Sequence, residues 1–285
     1  TISTDPAVVD FHTHIFPPRF IERREELLQA EPHFAEVFSS PRARMATAEE
    51  VVSSMEQDGV DASVVLGANW GSPERCREAN DYLLESAARH RGRLVAFCGL
   101  PPRGTEAMSL EVERCAAGGA RGMGELRPDV MGLDMSDETA TTPLAEALER
   151  HRLILLLHTS EPVGHPYPGK AGLTPEAVYP FLLLHPNLTV VCAHWGGGLP
   201  FYALMPEVAR ALERTYFDTS ASPFLYRPQI YSHAIQMVGE AKVLFGSDFP
   251  LMPQHRPLSE IRSLSLPQRV EHLVLGGNAT KLLGL

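Results

Sequence analysis

The feature that most constrains this chain is a run of apolar or β-branched residues that recurs eight times. The runs lie near residues 8–14, 62–68, 94–100, 121–127, 153–159, 188–194, 215–221 and 242–248. Apart from a longer first gap they begin about every 27 to 35 residues, the length of one strand followed by one helix. Leu153-Ile154-Leu155-Leu156-Leu157 and Leu188-Thr189-Val190-Val191 are apolar on both faces, as parallel strands covered on two sides must be. Eight such units predict one α/β domain over residues 1–285, a (β/α)8 TIM barrel. An open doubly wound sheet also uses βα units, but no Gly-x-Gly-x-x-Gly follows the first strand to support it.

Helix signals fill the gaps. Thr47 with Glu50 three residues on forms a capping-box pattern, and Gly59 closes that helix. Residues 80–91 read as an amphipathic helix capped by Asn80 and ended by Gly92, and helices are also expected over 146–152 and 206–214. His90, His151 and His185 fall at helix ends or just after them, where surface or C-cap cations are expected. The tail from Glu271 reads as two short helices broken at Gly276-Gly277-Asn278. The long first gap, residues 17–46, is an insertion after the first strand. It emerges on the barrel face that binds substrate and is expected to act as a lid or pocket wall, with the loop 161–180 as a second wall.

Composition excludes several classes. With 25 basic and 35 acidic side chains the formal net charge is −10, and there are no basic runs, which argues against nucleic-acid binding. No apolar run reaches the 18 or so residues needed to span a bilayer. The polar stretch Thr1 to Ala7 has no leader pattern. Cys76, Cys98, Cys115 and Cys192 are scattered, without Cys-x-x-Cys, and read as buried free thiols in a reducing compartment. A cytoplasmic protein is the expectation, with a two-fold homodimer as the default oligomer.

Polar residues gather where the strands end. The first strand carries His12 and His14, two apart and therefore on one face of a regular strand. The fourth carries Glu125, the fifth ends at His158, the sixth at His194 and the eighth at Asp248. Active residues of a barrel sit at these C-terminal ends. Each alone could be a satisfied structural group, but burying them together without a cation or substrate would be costly.

The ordered set His12-x-His14, His158, His194 and Asp248 resembles the amidohydrolase superfamily of metal-dependent barrels. Asp10-Phe11-His12-Thr13-His14, Asn80-Asp81, Ala193-His194-Trp195-Gly196-Gly197, Phe245-Gly246-Ser247-Asp248-Phe249-Pro250 and the terminal Gly277-Asn278-Ala279-Thr280-Lys281-Leu282-Leu283-Gly284-Leu285 look like its amidohydrolase-related branch. That branch includes aminocarboxymuconate semialdehyde decarboxylase. The resemblance implies that His12, His14, His158 and Asp248 ligate one divalent metal, with His194 beside it as a general acid or base. Three imidazoles and a carboxylate suit Zn²⁺ best, with Mn²⁺, Co²⁺ or Fe²⁺ as alternatives. Asp248 would also serve catalysis by accepting a proton from metal-bound water. Glu125 stands where the simplest pattern has a lysine. It is either a bridge to a second metal or a group that orients a histidine or pairs with Arg127.

Arg19, Trp70, Arg127 and His165 are candidates to bind an anionic or aromatic substrate at the rim. The leading expectation is a hydrolase of a small-molecule amide, lactone or ester that uses a metal-activated water. The alternative is a non-oxidative decarboxylase of a small aromatic or unsaturated acid, with Arg19, Arg127 or Lys170 supplying positive charge. A catalytically inactive binding barrel is the third reading.

Overall fold

The computed structural model describes residues 7–102, 104–170 and 172–285, so the polar stretch 1–6 lies outside the described residues. All eight expected strands form: β1 (Val9–His14), β2 (Ala62–Leu66), β3 (Leu94–Cys98), β4 (Gly122–Leu126), β5 (Ile154–Leu157), β6 (Val190–Cys192), β7 (Thr215–Asp218) and β8 (Val243–Leu244). They pair in parallel in the order β1 to β8. Backbone bonds then join the two ends of the sheet: Phe11 N–H to Phe245 O at 2.7 Å, Asp248 N–H to His12 O at 2.9 Å and His14 N–H to Phe249 O at 2.6 Å. The result is a barrel with helices between its strands.

The core has two shells, which is why the strand sequences are apolar on both faces. Inside the barrel lie Val9, Phe11, Val64, Leu66, Phe97, Leu156, Val191 and Leu244, with Ala279 and Leu283 of the terminal helix packed against them. Outside, the alternate residues of the strands meet the surrounding helices in two larger clusters. All four cysteines are buried and free. No described helix is long and apolar enough to cross a membrane.

The insertion after β1 folds as three short helices, α1 (Pro18–Glu22), α2 (Arg24–Ala30) and α3 (Pro32–Phe38). They enclose an aromatic cluster of Phe16, Phe20, Phe34, Phe38 and Trp70, in which Phe34 stacks on both Phe38 and Trp70. Buried Glu31 fastens the insertion to the next loop by accepting from Gly71 N–H at 2.6 Å and Arg75 Nη1 at 2.7 Å. The following helix, α4 (Ala48–Asp58), has the expected Thr47–Glu50 capping box and Gly59 in the left-handed conformation.

Three local expectations are corrected. Helix α5 (Pro73–Arg89) starts at a Ser72 cap, and Asn80 lies in its buried middle. There Asn80 bonds the backbone of Gly99 in both directions and reaches Glu111, so its polarity serves a tertiary contact rather than a cap. His185 is buried on Thr141 Oγ1 at 2.8 Å, and burial lowers its pKa, so it is no surface cation. The tail glycines widen the helix into a π turn instead of breaking it, because Gly276 packs on the Ala7 carbonyl where a Cβ would overlap.

Candidate metal centre

Two strands shift register where the site begins. β1 follows β2 through Asp10, then slips before Thr13. Val9 and Phe11 stay in the interior layer, and past the slip His12 and His14 turn into the barrel mouth, as a bulge re-aims side chains. β4 slips likewise between Met123 and Leu126, and Glu125 lies within that slip. After β6 the chain makes a left-handed turn, with φ of 54° at His194, 59° at Trp195 and 60 to 96° through Gly196, Gly197 and Gly198. Glycine is required at Gly197, where a Cβ would overlap the Ser160 carbonyl. Trp195 is anchored in this costly conformation by full burial, its Nε1 bond to Ser222 Oγ at 2.9 Å and edge packing on Tyr231.

His12 and His14 face each other through their Nε2 atoms at 3.1 Å. Asp248 Oδ1 lies 3.7 Å from His12 Nε2 and 3.5 Å from His14 Nε2, and Glu125 Oε2 lies 3.6 and 3.7 Å from the same two atoms. Ligands about 2.1 Å from one ion stand about 3.0 to 3.4 Å apart, so these separations need only a slight contraction. The tautomers fit as well. His12 Nδ1 donates to Asp218 Oδ2 at 2.8 Å and His14 Nδ1 donates to Gly67 O at 3.0 Å. With Nδ1 as the donor, each imidazole turns an Nε2 lone pair toward the cage once its Nε2 proton is lost. Among the described residues, the groups close enough to share a cation are His12 with His14 and Asp248, and His12 with Glu125 and His194, so His12 belongs to both.

The other two histidines are wired differently. His158 Nδ1 bonds Glu125 Oε1 at 2.8 Å, and its Nε2 bonds Gly169 O at 2.8 Å. His194 Nε2 bonds the same Glu125 oxygen at 3.1 Å. Its Nδ1 faces Ser220 Oγ at 2.9 Å and Ser220 O at 3.1 Å. The Ser220 hydroxyl proton is directed to Asp218, so both Ser220 oxygens accept from His194. Both rings thus have an oxygen partner at each nitrogen. Glu125 therefore divides the centre, with Oε2 toward the cage and Oε1 toward these two rings. His158, expected among the ligands, reaches the cage through Glu125 in this arrangement.

Burial opposes charge on Glu125, Asp248, His12 and His194, and attraction to opposite charges outweighs it. Glu125 is held well below the usual carboxylate range by His158 and His12, and Asp248 is lowered to about 2 by His14, His12 and His194. His12 is raised well above the usual imidazole range by Asp218 and Glu125, and His194 is raised to about 9 by Glu125 and Asp248. Asp10 goes the other way, raised by burial to about 6. Its carboxyl receives His12 N–H, Ser247 N–H, Ser247 Oγ and Gln254 Nε2, tying β1 to the segment that carries Asp248.

Several orienting residues were not singled out in the sequence. Asp218 at the end of β7 accepts from both His12 and the His194 backbone. Asn69 spans to β4, donating to Glu125 O at 3.0 Å and accepting from Arg127 N–H at 3.1 Å. A polar residue ending a seventh apolar run was the available signal for Asp218.

The rim candidates separate. Arg19 is exposed and paired with Glu78. Trp70 is buried within the insertion's aromatic cluster, so it builds the wall instead of facing a substrate. Arg127 is buried and neutralised by Glu36 of α3 and by Asp129. His165 and Lys170 line a cavity between the loop after β5, the glycine turn after β6 and the Leu225-Tyr226 segment. The insertion does reach this rim, since Val37 packs toward Gly169.

The amidohydrolase family model matches residues 9–285. A 2-amino-3-carboxymuconate-6-semialdehyde decarboxylase of Dictyostelium discoideum is 22% identical, over 97% of this chain and 91% of its own. The crystal structure of 5-carboxyvanillate decarboxylase from Sphingomonas paucimobilis superposes with a TM-score of 0.78 at 18% identity, covering 99% and 100% of the two chains. Dihydroxybenzoic acid decarboxylase from Polaromonas sp. JS666, with bound manganese and 2-nitroresorcinol, gives a TM-score of 0.74 at 18% identity, covering 99% and 98%. All three relatives are decarboxylases, which overturns the hydrolase expected from the sequence. Residue types at strand ends could not separate the two reactions, because one ligand set serves both.

Proposed function

The chain belongs to the amidohydrolase family, and from that membership and the geometry of the centre we propose that it is a metal-dependent carboxy-lyase. It removes CO2 without oxidation from a small carboxylic acid. The observation that carries this reading is His194, a buried imidazole with acceptors on both ring nitrogens, standing at the mouth of the cage. The relatives that match along the whole chain support the same reaction.

His12, His14, Asp248 and Glu125 Oε2 would hold one divalent ion. Two imidazoles with two carboxylates suit Mn²⁺ as well as Zn²⁺, and the Polaromonas relative favours trying Mn²⁺ first. A single ion is favoured because Glu125 Oε1 is already taken by His158 and His194. When bound, the ion supplies Lewis acidity that draws in the substrate acid and disperses its charge.

The residues of the chain perform the proton chemistry. Loss of CO2 breaks the carbon–carboxylate bond and leaves its electron pair on the substrate carbon. His194 delivers the Nε2 proton to that carbon, and Glu125 and Ser220 hold the ring in place for the transfer. Solvent then restores the proton. Glu125, freed of its bond to His194, steadies the remaining His158 contact.

The test is CO2 release from a panel of aromatic and unsaturated acids by Mn²⁺-loaded protein in D2O. The expected result is one equivalent of CO2 and one deuterium at the vacated carbon. Absence of CO2 from every acid, with one ion per chain verified, would overturn the reading.

A further inference from the structure

The metal centre occupies the C-terminal ends of the strands, and the opposite end of the barrel has a different charge pattern. Strands β3, β4, β7 and β8 each begin directly after a cation: Arg93, Arg121, Arg214 and Lys242. Among the described residues none of these four is in an ion pair, although the chain carries a formal net charge of −10. The carbonyl ends of the preceding helices favour a cation on this face. They do not explain why three cations gather at one cavity.

That cavity, of about 300 Å³, is lined by Thr189, Glu213, Arg214, Tyr216, Lys281 and Leu282. Arg214 comes from the turn before β7 and Lys281 from the terminal helix Asn278–Leu283. Lys242 borders it from the turn before β8. Its Nζ donates to the Glu213 carbonyl and lies 4.7 Å from the centre of the Tyr216 ring. Burial lowers the Lys242 pKa, the Glu213 charge opposes that and the Arg214 charge adds to it, so the three groups act on one another. Arg214 Nη2 donates to Thr189 Oγ1 at 2.9 Å, and its other N–H groups have no hydrogen-bond partner among the described residues. Glu213 supplies the one carboxylate of the lining. With Lys242 counted, the cavity keeps an excess of two positive charges.

We propose that this cavity binds a phosphate group, at the far end of β7 and β8 from the metal centre and independently of the reaction there. A phosphate dianion matches the charge excess, whereas a single carboxylate would leave one positive charge uncompensated. Arg214 presents a planar fork whose N–H groups phosphate oxygens accept in pairs, and Lys242 and Lys281 add point charges. The cavity is larger than a phosphate ion, and the Tyr216 ring and Leu282 give it an apolar wall for a small organic group that carries the phosphate.

The experiment is calorimetric titration of inorganic phosphate and of phenyl phosphate into Mn²⁺-loaded protein freed of excess ion, with acetate at equal ionic strength as the control. Phosphate is expected to bind once per chain at this site. Arg214→Gln and Lys281→Gln should each weaken it about tenfold, at unchanged Mn²⁺ content and unchanged melting temperature without phosphate, since both side chains are exposed. Glu213→Gln should tighten it about threefold by removing the opposing charge. His14→Ala, stripped of its ion, should keep the wild-type phosphate affinity. Tighter binding of phenyl phosphate than of inorganic phosphate supports the site with a phosphorylated small molecule as its occupant, and equal or weaker binding supports it with the free ion. Failure of both probes to bind overturns the inference, as does acetate that binds as well as phosphate. Phosphate binding untouched by Arg214→Gln and Lys281→Gln, or lost in His14→Ala, also overturns it and puts the anion on the metal centre.

Discussion

Two pairs of histidines meet at the same glutamate and are prepared for different chemistry. In the β1 pair, Asp218 and Gly67 accept the Nδ1 protons, so His12 and His14 offer Nε2 lone pairs to a cation. In the β5–β6 pair, oxygens of Gly169, Ser220 and Glu125 face both nitrogens of His158 and His194, an arrangement that we assign to proton handling. The residue type is the same in all four places. What differs is the partner on the far side of each ring, and that partner decides between ligand and acid.

The largest effect should come from removing one of the proposed metal ligands. His14→Ala or Asp248→Ala should lower bound metal from about one ion per chain to below about a tenth, with loss of detectable turnover. Elemental mass spectrometry after gel filtration measures it. His158→Asn is the contrasting variant, and it should keep its ion if Glu125 rather than His158 completes the cage. Metal loss equal to that of His14→Ala would return His158 to the ligand set.

His194→Gln should next separate the two functions. The ion stays, while kcat for CO2 release falls by about 10² to 10⁴, the range for a lost general acid. Equal falls in kcat and in metal content would erase the contrast between the pairs. Asp218→Asn should have a smaller effect, weakening metal affinity by about 10 to 100-fold through a loosened His12, with recovery at high metal concentration. Titration with a competing chelator reads that shift. Ser220→Ala should be the mildest, since His194 Nδ1 still has the Ser220 carbonyl at 3.1 Å. A fall in kcat of about tenfold or less, without change in metal affinity, is expected from losing one neutral hydrogen bond.

Much of the architecture was legible because it depends on neighbours in the chain. The eight strands follow from local apolar runs, and α4 follows from Thr47, Glu50 and Gly59. The same holds for the placement of His12, His14, Glu125, His158, His194 and Asp248 at one end of the barrel, since strand ends in a parallel barrel converge by topology. Legibility failed where a side chain's role is set from far away. Asn80 begins an apparent helix in the sequence, yet Gly99 and Glu111 draw it into the middle of α5. Trp70 was a plausible rim residue until the insertion folded over it.

The sequence by itself therefore determined a barrel and the inventory of its mouth. Only the tertiary structure decided which partner stands at each histidine nitrogen, which oxygen of Glu125 faces the cage and which arginines are neutralised. Asp218 lies 206 residues from His12 and Glu36 lies 91 from Arg127, and each pair meets within about 3 Å. Strand periodicity is a property of adjacent residues, whereas the state of a buried ionisable group is fixed by whatever charge and hydrogen bond the closed barrel brings against it.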